Sequence, residues 1–600
     1  MSIKNGHAFI IQRRSSYYIR KNFSGAEMAF SEECREKILS EEYMDIITGE
    51  YWSPGVTDDR ISGFCSQSAD RDVKILYLDR NTAPPLGSDA YFYQNIPSLY
   101  IPLSTSALNA AGILRAADQP ALGLQGQGVI LAFADTGIDY THPAFLDENG
   151  NSRILSIWDQ TVQTGTPPVG MDYGTEYTKE DIERALAFEN PRELVPSEDT
   201  DGHGTYVAGV AAGSRVVTGG SVYQGAAPLA EIAVVKLKPA KKYLRDFYRM
   251  PEEARLFQEN DILLAMRFFM DLQQKMDMPM VICFTLGSNM GGHDGGSPLG
   301  LVLERISRSH RMALVAASGN EAVRAHHYFG DAPSQEIPDT VELQVADNEQ
   351  GFTLEIWPDL SELVTVAVIS PSGQRAEKFT TRPGVGSRLQ FVLEGTVLEV
   401  NFWFDASGKG SQIVTLKFSR PAPGIWKILV YSVFHYGGGF HMWLPAQGLI
   451  RPETVFLKPD VDVTLTDPSA GEHLITAGAY DHITDSIYIQ SGRGKTRTGQ
   501  QQPTIAAPGV SIDGPSLQSI SGYEQRTGTS GAAAITAGAA ASILTWGVVN
   551  GNLPVMTGTT VKFFLTIGAV RQNTLSYPNN EWGYGKLNLY RIFEVLAGLS

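Results

Sequence analysis

Cysteine is scarce in this chain: three in 600 residues, at Cys34, Cys65 and Cys283. An odd number without regular spacing argues against a disulfide framework and leaves at least one thiol unpaired. A reducing compartment, or indifference to redox, is the simpler expectation. Basic residues are also in deficit, 48 against 65 acidic ones for a net charge of −17. That balance argues against non-specific binding to nucleic acid or an anionic membrane. Long apolar runs are nearly missing. Residues 1–7 offer neither an uninterrupted apolar stretch nor a small-residue cleavage site, so no secretion signal is expected. The one uncharged run able to span a bilayer, residues 531–549, is rich in Ala and Gly and lacks basic flanks. It is expected to be a helix buried on every side, with no membrane partner.

Cofactor and metal signals fail in the same way. The glycines at 123, 126 and 128 precede the strand at 129–134 instead of following it, so they do not form a dinucleotide fingerprint. Asp147 to Asn151 mimics the start of a calcium loop, but the required glycine is absent and Trp158 stands at the last ligand position; a plain turn is expected. His435 and His441 flank a glycine run without a third ligand at useful spacing, which reads as a hairpin loop. Cys283 sits in an apolar run and reads as core packing. No cofactor and no metal are expected.

What is present is an alternation of strands and helices. Six hundred residues exceed what one core usually serves. Residues 1–103 are expected to form a strand at 8–12, a helix over 31–47 and a strand at 73–78. They read either as a pro-region that assists folding or as an accessory extension. From 104 to 337, strands at 129–134, 232–237, 281–286 and 313–320 alternate with helices after His203 and over 178–188, 260–276 and 297–309, around a basic-aromatic loop at 241–248. This predicts an α/β domain with a mainly parallel sheet and helices on both faces. Residues 338–447 hold seven strands without helices, which predicts an inserted antiparallel β-sandwich. The α/β pattern resumes over 448–600.

Four short motifs sit at the strand and helix ends of that α/β pattern. Asp135, with Thr136 and Gly137, closes a continuous apolar strand. His203 lies between glycines before a helix of small residues. Ser318, Gly319 and Asn320 end another strand. Ser530 follows Gly528 and Thr529 and precedes the buried helix. Each has an ordinary reading: a serine there is usually a helix cap, and a histidine between glycines a loop residue. Together they supply what acyl transfer needs. A hydroxyl becomes a nucleophile when an imidazole takes its proton; a carboxylate orients that imidazole, and amide donors face the oxygen that turns negative.

In these motifs and their order, Asp then His then Ser, the chain resembles the subtilisin-like serine proteases, the S8 peptidases. The inserted sandwich between Asn320 and Ser530 is similar to the layout of the Csp-type germination subtilases of clostridia. The resemblance implies Ser530 as nucleophile, His203 as general acid and base, Asp135 as its orienter and Asn320 as oxyanion donor. It further implies a cleft shaped by Leu286, Gly287, Ser318 and Gly319 that takes a protein or peptide, and a cytoplasmic or spore-associated location. Departures from the family pattern are Tyr206, Gly531, Ala534 and Ile535; none removes a catalytic group.

Overall fold

The strand Ile130–Asp135 runs through the middle of a nine-stranded sheet. It pairs in parallel with Glu231–Lys236 on one side and Met280–Phe284 on the other. Beyond these, Met312–Ala317, Ile475–Asp481, Ile505–Pro508 and Ile154–Asp159 continue in parallel. Thr175–Thr178 and Ser486–Ile487 close the edges antiparallel. The computed structural model describes residues 32–49 and 65–598, apart from 71, 88–89, 103–106, 109, 219–220, 332–333, 361, 380, 382–385, 406–409, 435 and 520. The strand expected at residues 8–12 and His435 lie outside the described residues.

Alternation along the central strand decides which core each side chain joins. Leu131 and Phe133 pack into a core with the helices His203–Ala212 and Thr529–Leu544. Ile130, Ala132 and Ala134 face the helices Glu259–Met276 and Pro298–Ser307. Thr529–Val549 is long and apolar enough to cross a membrane, yet 83% of its most apolar window is buried inside the protein. Its small residues explain the fit. A Cβ on Gly538 would lie 2.3 Å from the Ala226 Cβ, so a larger residue would separate this helix from the sheet's neighbours.

The inserted strands form two antiparallel sheets around one apolar core. They begin at His327–Gly330 and end at Val455–Phe456, wider than the segment 338–447 expected from the turn spacing. The strands and helices expected from residue 129 onward are otherwise found with ends shifted by a few residues, with two exceptions. Among the described residues no hairpin forms around His441: it lies in the strand Phe440–Trp443, which belongs to a different sheet from the preceding strand Gly424–Phe434. The loop expected at 241–248 is a helix, Lys242–Tyr248, because Tyr243, Leu244 and Tyr248 bury against the N-terminal strands and the sandwich.

Two N-terminal expectations are corrected. Only Glu32–Leu39 is helical; Tyr43–Gly49 is a strand paired antiparallel with Val73–Asp79. Met44 and Ile46 enter the core shared with the sandwich, and Ile47 enters the core under the main sheet, so burial on two faces overrides a helical spacing. Cys34 and Cys65 form a disulfide with Cα atoms 5.3 Å apart, against the expectation that the cysteines make no framework. Spacing could not show this, because the pairing depends on how a helix docks on a strand. Cys283 is free and buried, and burial with Asp135 nearby pushes its thiol up, as suits core packing.

Candidate active site

Asp135 and Asn320 stand at or just past the carboxyl ends of parallel strands, the edge where open α/β sheets build their sites, and His203 and Ser530 stand in the first turns of the helices His203–Ala212 and Thr529–Leu544. Asp135 ends the central strand, and its carboxylate is held on three sides. Thr136 N–H donates to Oδ1 at 2.7 Å, the Thr285 hydroxyl donates to Oδ2 at 2.8 Å, and His203 Nδ1 lies 2.7 Å from Oδ1. Burial alone would push this carboxyl up; the facing imidazole and the two donors outweigh it and hold it below the usual carboxylate range. Asp135 thus stays ionised beside the ring.

His203 opens its helix from Gly202, which is in the left-handed region at φ 88°. Asp199 orders that turn: Oδ1 accepts from Asp201 N and Gly202 N, and Oδ2 accepts from the Thr205 N–H and hydroxyl. Gly204 lets the helix approach the Asp135 loop, since a Cβ there would fall 2.2 Å from the Gly137 carbonyl oxygen. On the far side of the ring, His203 Nε2 lies 3.3 Å from Ser530 Oγ. Gly528, at φ 150°, makes the sharp entry into the helix that carries Ser530.

Asn320 joins the group through its amide. Thr529 N–H donates to Asn320 Oδ1 at 3.1 Å, which fixes the carbonyl end and leaves Nδ2 as the donor. Ser318 and Gly319 behind it are locked into the fold. Ser318 N–H donates to Ala477 O, Gly492 N–H donates to Gly319 O, and the Ser318 hydroxyl lies 3.4 Å from that of Ser491. Leu286 and Gly287 form a short strand that is already paired antiparallel, with Pro102 and Ile101. The same N-terminal strand, Leu99–Pro102, pairs on its other edge with Phe257–Gln258. Ser530 is fully buried in this arrangement.

Sequence reasoning did not single out Thr285, Asp199 as a loop organiser, or Phe257–Gln258 as a partner strand of Leu99–Pro102. Thr285 carries a weak signal, a lone hydroxyl within an apolar strand. Phe257–Gln258 carries none, because two residues make no periodicity.

A comparison with family models matches residues 126–415 and 458–585 to the subtilase family, peptidase S8. The chain belongs to the subtilase family. Among solved structures, this subtilase is similar to the Clostridium perfringens CspB protease, with a TM-score of 0.70 and 30% identity over 82% of this chain and 98% of that one. It is also similar to the Arabidopsis thaliana subtilisin-like proteases SBT2.1 and SBT2.2, each 33% identical, over 126 and 129 residues. Those two matches cover 18% of this chain and 15% of each plant protein.

Proposed function

We propose that this subtilase is a serine endopeptidase that cleaves peptide bonds through an acyl-enzyme. The carrying observation is the relay of 2.7 Å from Asp135 to His203 and 3.3 Å from His203 to Ser530. Ser530 Oγ attacks the substrate carbonyl carbon while His203 Nε2 takes its proton. The Asp135 carboxylate stabilises the imidazolium without taking the proton itself. Asn320 Nδ2 and the Ser530 N–H face the carbonyl oxygen as it becomes an oxyanion. His203 then returns the proton to the leaving amine, and water repeats the sequence to release the acid.

The N-terminal strand supports a reading of residues 1–103 as a pro-region. Leu99–Pro102 lies between Leu286–Gly287 and Phe257–Gln258 as an added strand, the way a peptide substrate would add to the cleft. Its chain direction leads into residues 103–106, and we assign that stretch as the site of self-cleavage. The layout shared with Csp-type subtilases suggests a protein zymogen of spore germination as the substrate in trans, with a cytoplasmic or spore-associated location; the similarity to the CspB protease supports the protease part of this reading. The filled cleft favours a second reading, in which the chain processes only itself and then serves as a non-catalytic binding scaffold.

A fluorophosphonate probe and a peptide library, applied to wild type and Ser530→Ala, separate these readings. The protease reading expects labelling, peptide cleavage and a new N-terminus near residue 104 in wild type only. The substitution should cost at least about 10³-fold in turnover, in line with subtilisin's own figures. A new N-terminus without labelling or cleavage in trans supports the self-processing scaffold. Equal activity in Ser530→Ala refutes both.

A further inference from the structure

Glu321 follows Asn320 directly, and its carboxylate is buried with its oxygens engaged. Oε2 accepts from Asn289 Nδ2 at 3.1 Å and lies 2.7 Å from His326 Nδ1, while Oε1 accepts the Gln447 N–H at 3.0 Å. These donors come from three separate segments. Asn289 lies two residues past the cleft edge Leu286–Gly287. His326 precedes the sandwich's first strand, His327–Gly330, and Gln447 lies on the return segment between the strand Phe440–Trp443 and the insert's last strand, Val455–Phe456. His326 is tied to that return as well, its carbonyl accepting the Leu444 N–H at 2.9 Å. One carboxylate therefore joins the Asn320 loop, the segment after Leu286–Gly287, the entry to the insert at His326 and a segment within the insert at Gln447.

The loop needs such an anchor. Asn320 is held through its side chain by the Thr529 N–H, and the backbone on either side is held at Gly319 O and Ala322 N. An oxyanion donor works only if it is fixed to within about 0.5 Å of its productive position. A buried carboxylate costs free energy unless it is fully paired, and this one meets a histidine and two further donors.

We propose that Glu321 is a positioning residue for Asn320, and that through it the inserted sandwich is coupled to turnover. The proposal rests on the serine endopeptidase reading. It makes the sandwich part of the catalytic apparatus, because removing the Gln447 or His326 arm frees the loop that carries the oxyanion donor.

The test is a double-mutant cycle on the full chain with a fluorogenic peptide, using Glu321→Gln, Asn320→Ala and both together. Glu321→Gln is expected to lower kcat about tenfold with KM changed less than about threefold, the split for an interaction made in the transition state. In the Asn320→Ala background the same change is expected to cost less than about twofold, since Glu321 acts through Asn320. His326→Gln, which can still hydrogen-bond the carboxylate, is expected to lose less than Glu321→Gln, and it runs the same cycle if Glu321→Gln does not fold. Wild-type kcat in Glu321→Gln, or an equal loss in both backgrounds, overturns the proposal. A wild type without labelling or peptide cleavage instead sinks the endopeptidase reading, and this inference with it.

Discussion

Gly204→Ala is a one-methyl test of whether the histidine helix must touch the Asp135 loop. On an exposed helix, replacing glycine by alanine stabilises by up to about 1 kcal/mol. Here the new Cβ would lie 2.2 Å from Gly137 O, 3.1 Å from Gly137 N and 3.2 Å from the Asp135 Cβ, and the first two atoms are backbone that no rotamer change can move aside. Real Cβ contacts essentially never fall below 3.0 Å, so the helix and the loop must separate by roughly 0.8 Å. The clash should win over propensity and destabilise by about 1–3 kcal/mol. At about 1 °C per kcal/mol for a protein of this size, that is a drop of about 1–3 °C in Tm. The separation opens at His203, where the 2.7 Å contact to Asp135 and the 3.3 Å approach to Ser530 both depend on the helix position. A displacement near 1 Å can cost on the order of 10²-fold in rate. The assay is the rate of fluorophosphonate labelling beside a thermal melt, each against wild type. Labelling at the wild-type rate with an unchanged Tm would show that the close approach is incidental, and the reasoning from Gly204 would fail.

Other substitutions probe the N-terminal region and its grip on the cleft. Asp45→Ala removes the carboxylate that pairs with Lys241 Nζ at 2.6 Å and accepts from Asn260 Nδ2 at 3.0 Å and from Gln258 Nε2, all in a buried network. Leaving Lys241 buried without it should cost about 3–5 kcal/mol in a urea titration, and a loss under 1 kcal/mol contradicts the burial argument. Glu259, whose oxygens accept from Ser98 N–H and Leu299 N–H, is pushed by burial up to about 7, against those two bonds. A carboxyl raised on folding binds a proton in the native state that the unfolded chain has lost, so its contribution to stability falls as pH rises from about 4.5 to about 7. The stability difference between wild type and Glu259→Gln should move by about 3 kcal/mol across that window, and a flat difference rejects the assignment. Cys34 and Cys65 are 31 residues apart, for which chain entropy allows about 4 kcal/mol of stabilisation. Reduction should therefore speed proteolysis of residues 32–79, and equal rates with and without reductant would deny the disulfide that role.

How legible the site was depended on what kind of contact makes it. Asp135, His203, Asn320 and Ser530 stand in short motifs beside glycines that their tight turns require, so local chemistry marked them. The apolar spacing of Tyr43–Gly49 fits either period and reads as helix, and only two separate cores, one on each face, decide for a strand. The disulfide was missed because cysteine count and spacing carry no information about a helix docking on a sheet. Glu321 carries no local signal in the sequence, since its donors come from Asn289, His326 and Gln447, in separate segments of the chain.

From residue 129 onward, the helix Lys242–Tyr248 apart, the order of strands and helices, the inserted β segment and the identity of the chemical groups were determined by the sequence alone, because each depends on hydrophobic period, turn residues and short motifs. The tertiary structure alone decided that an N-terminal strand pairs between Leu286–Gly287 and Phe257–Gln258, and that the insert reaches the Asn320 loop through one buried carboxylate. The physical reason is that backbone pairing across a cleft and burial of a shared charge are set by distance in space, and no local pattern of residues encodes them.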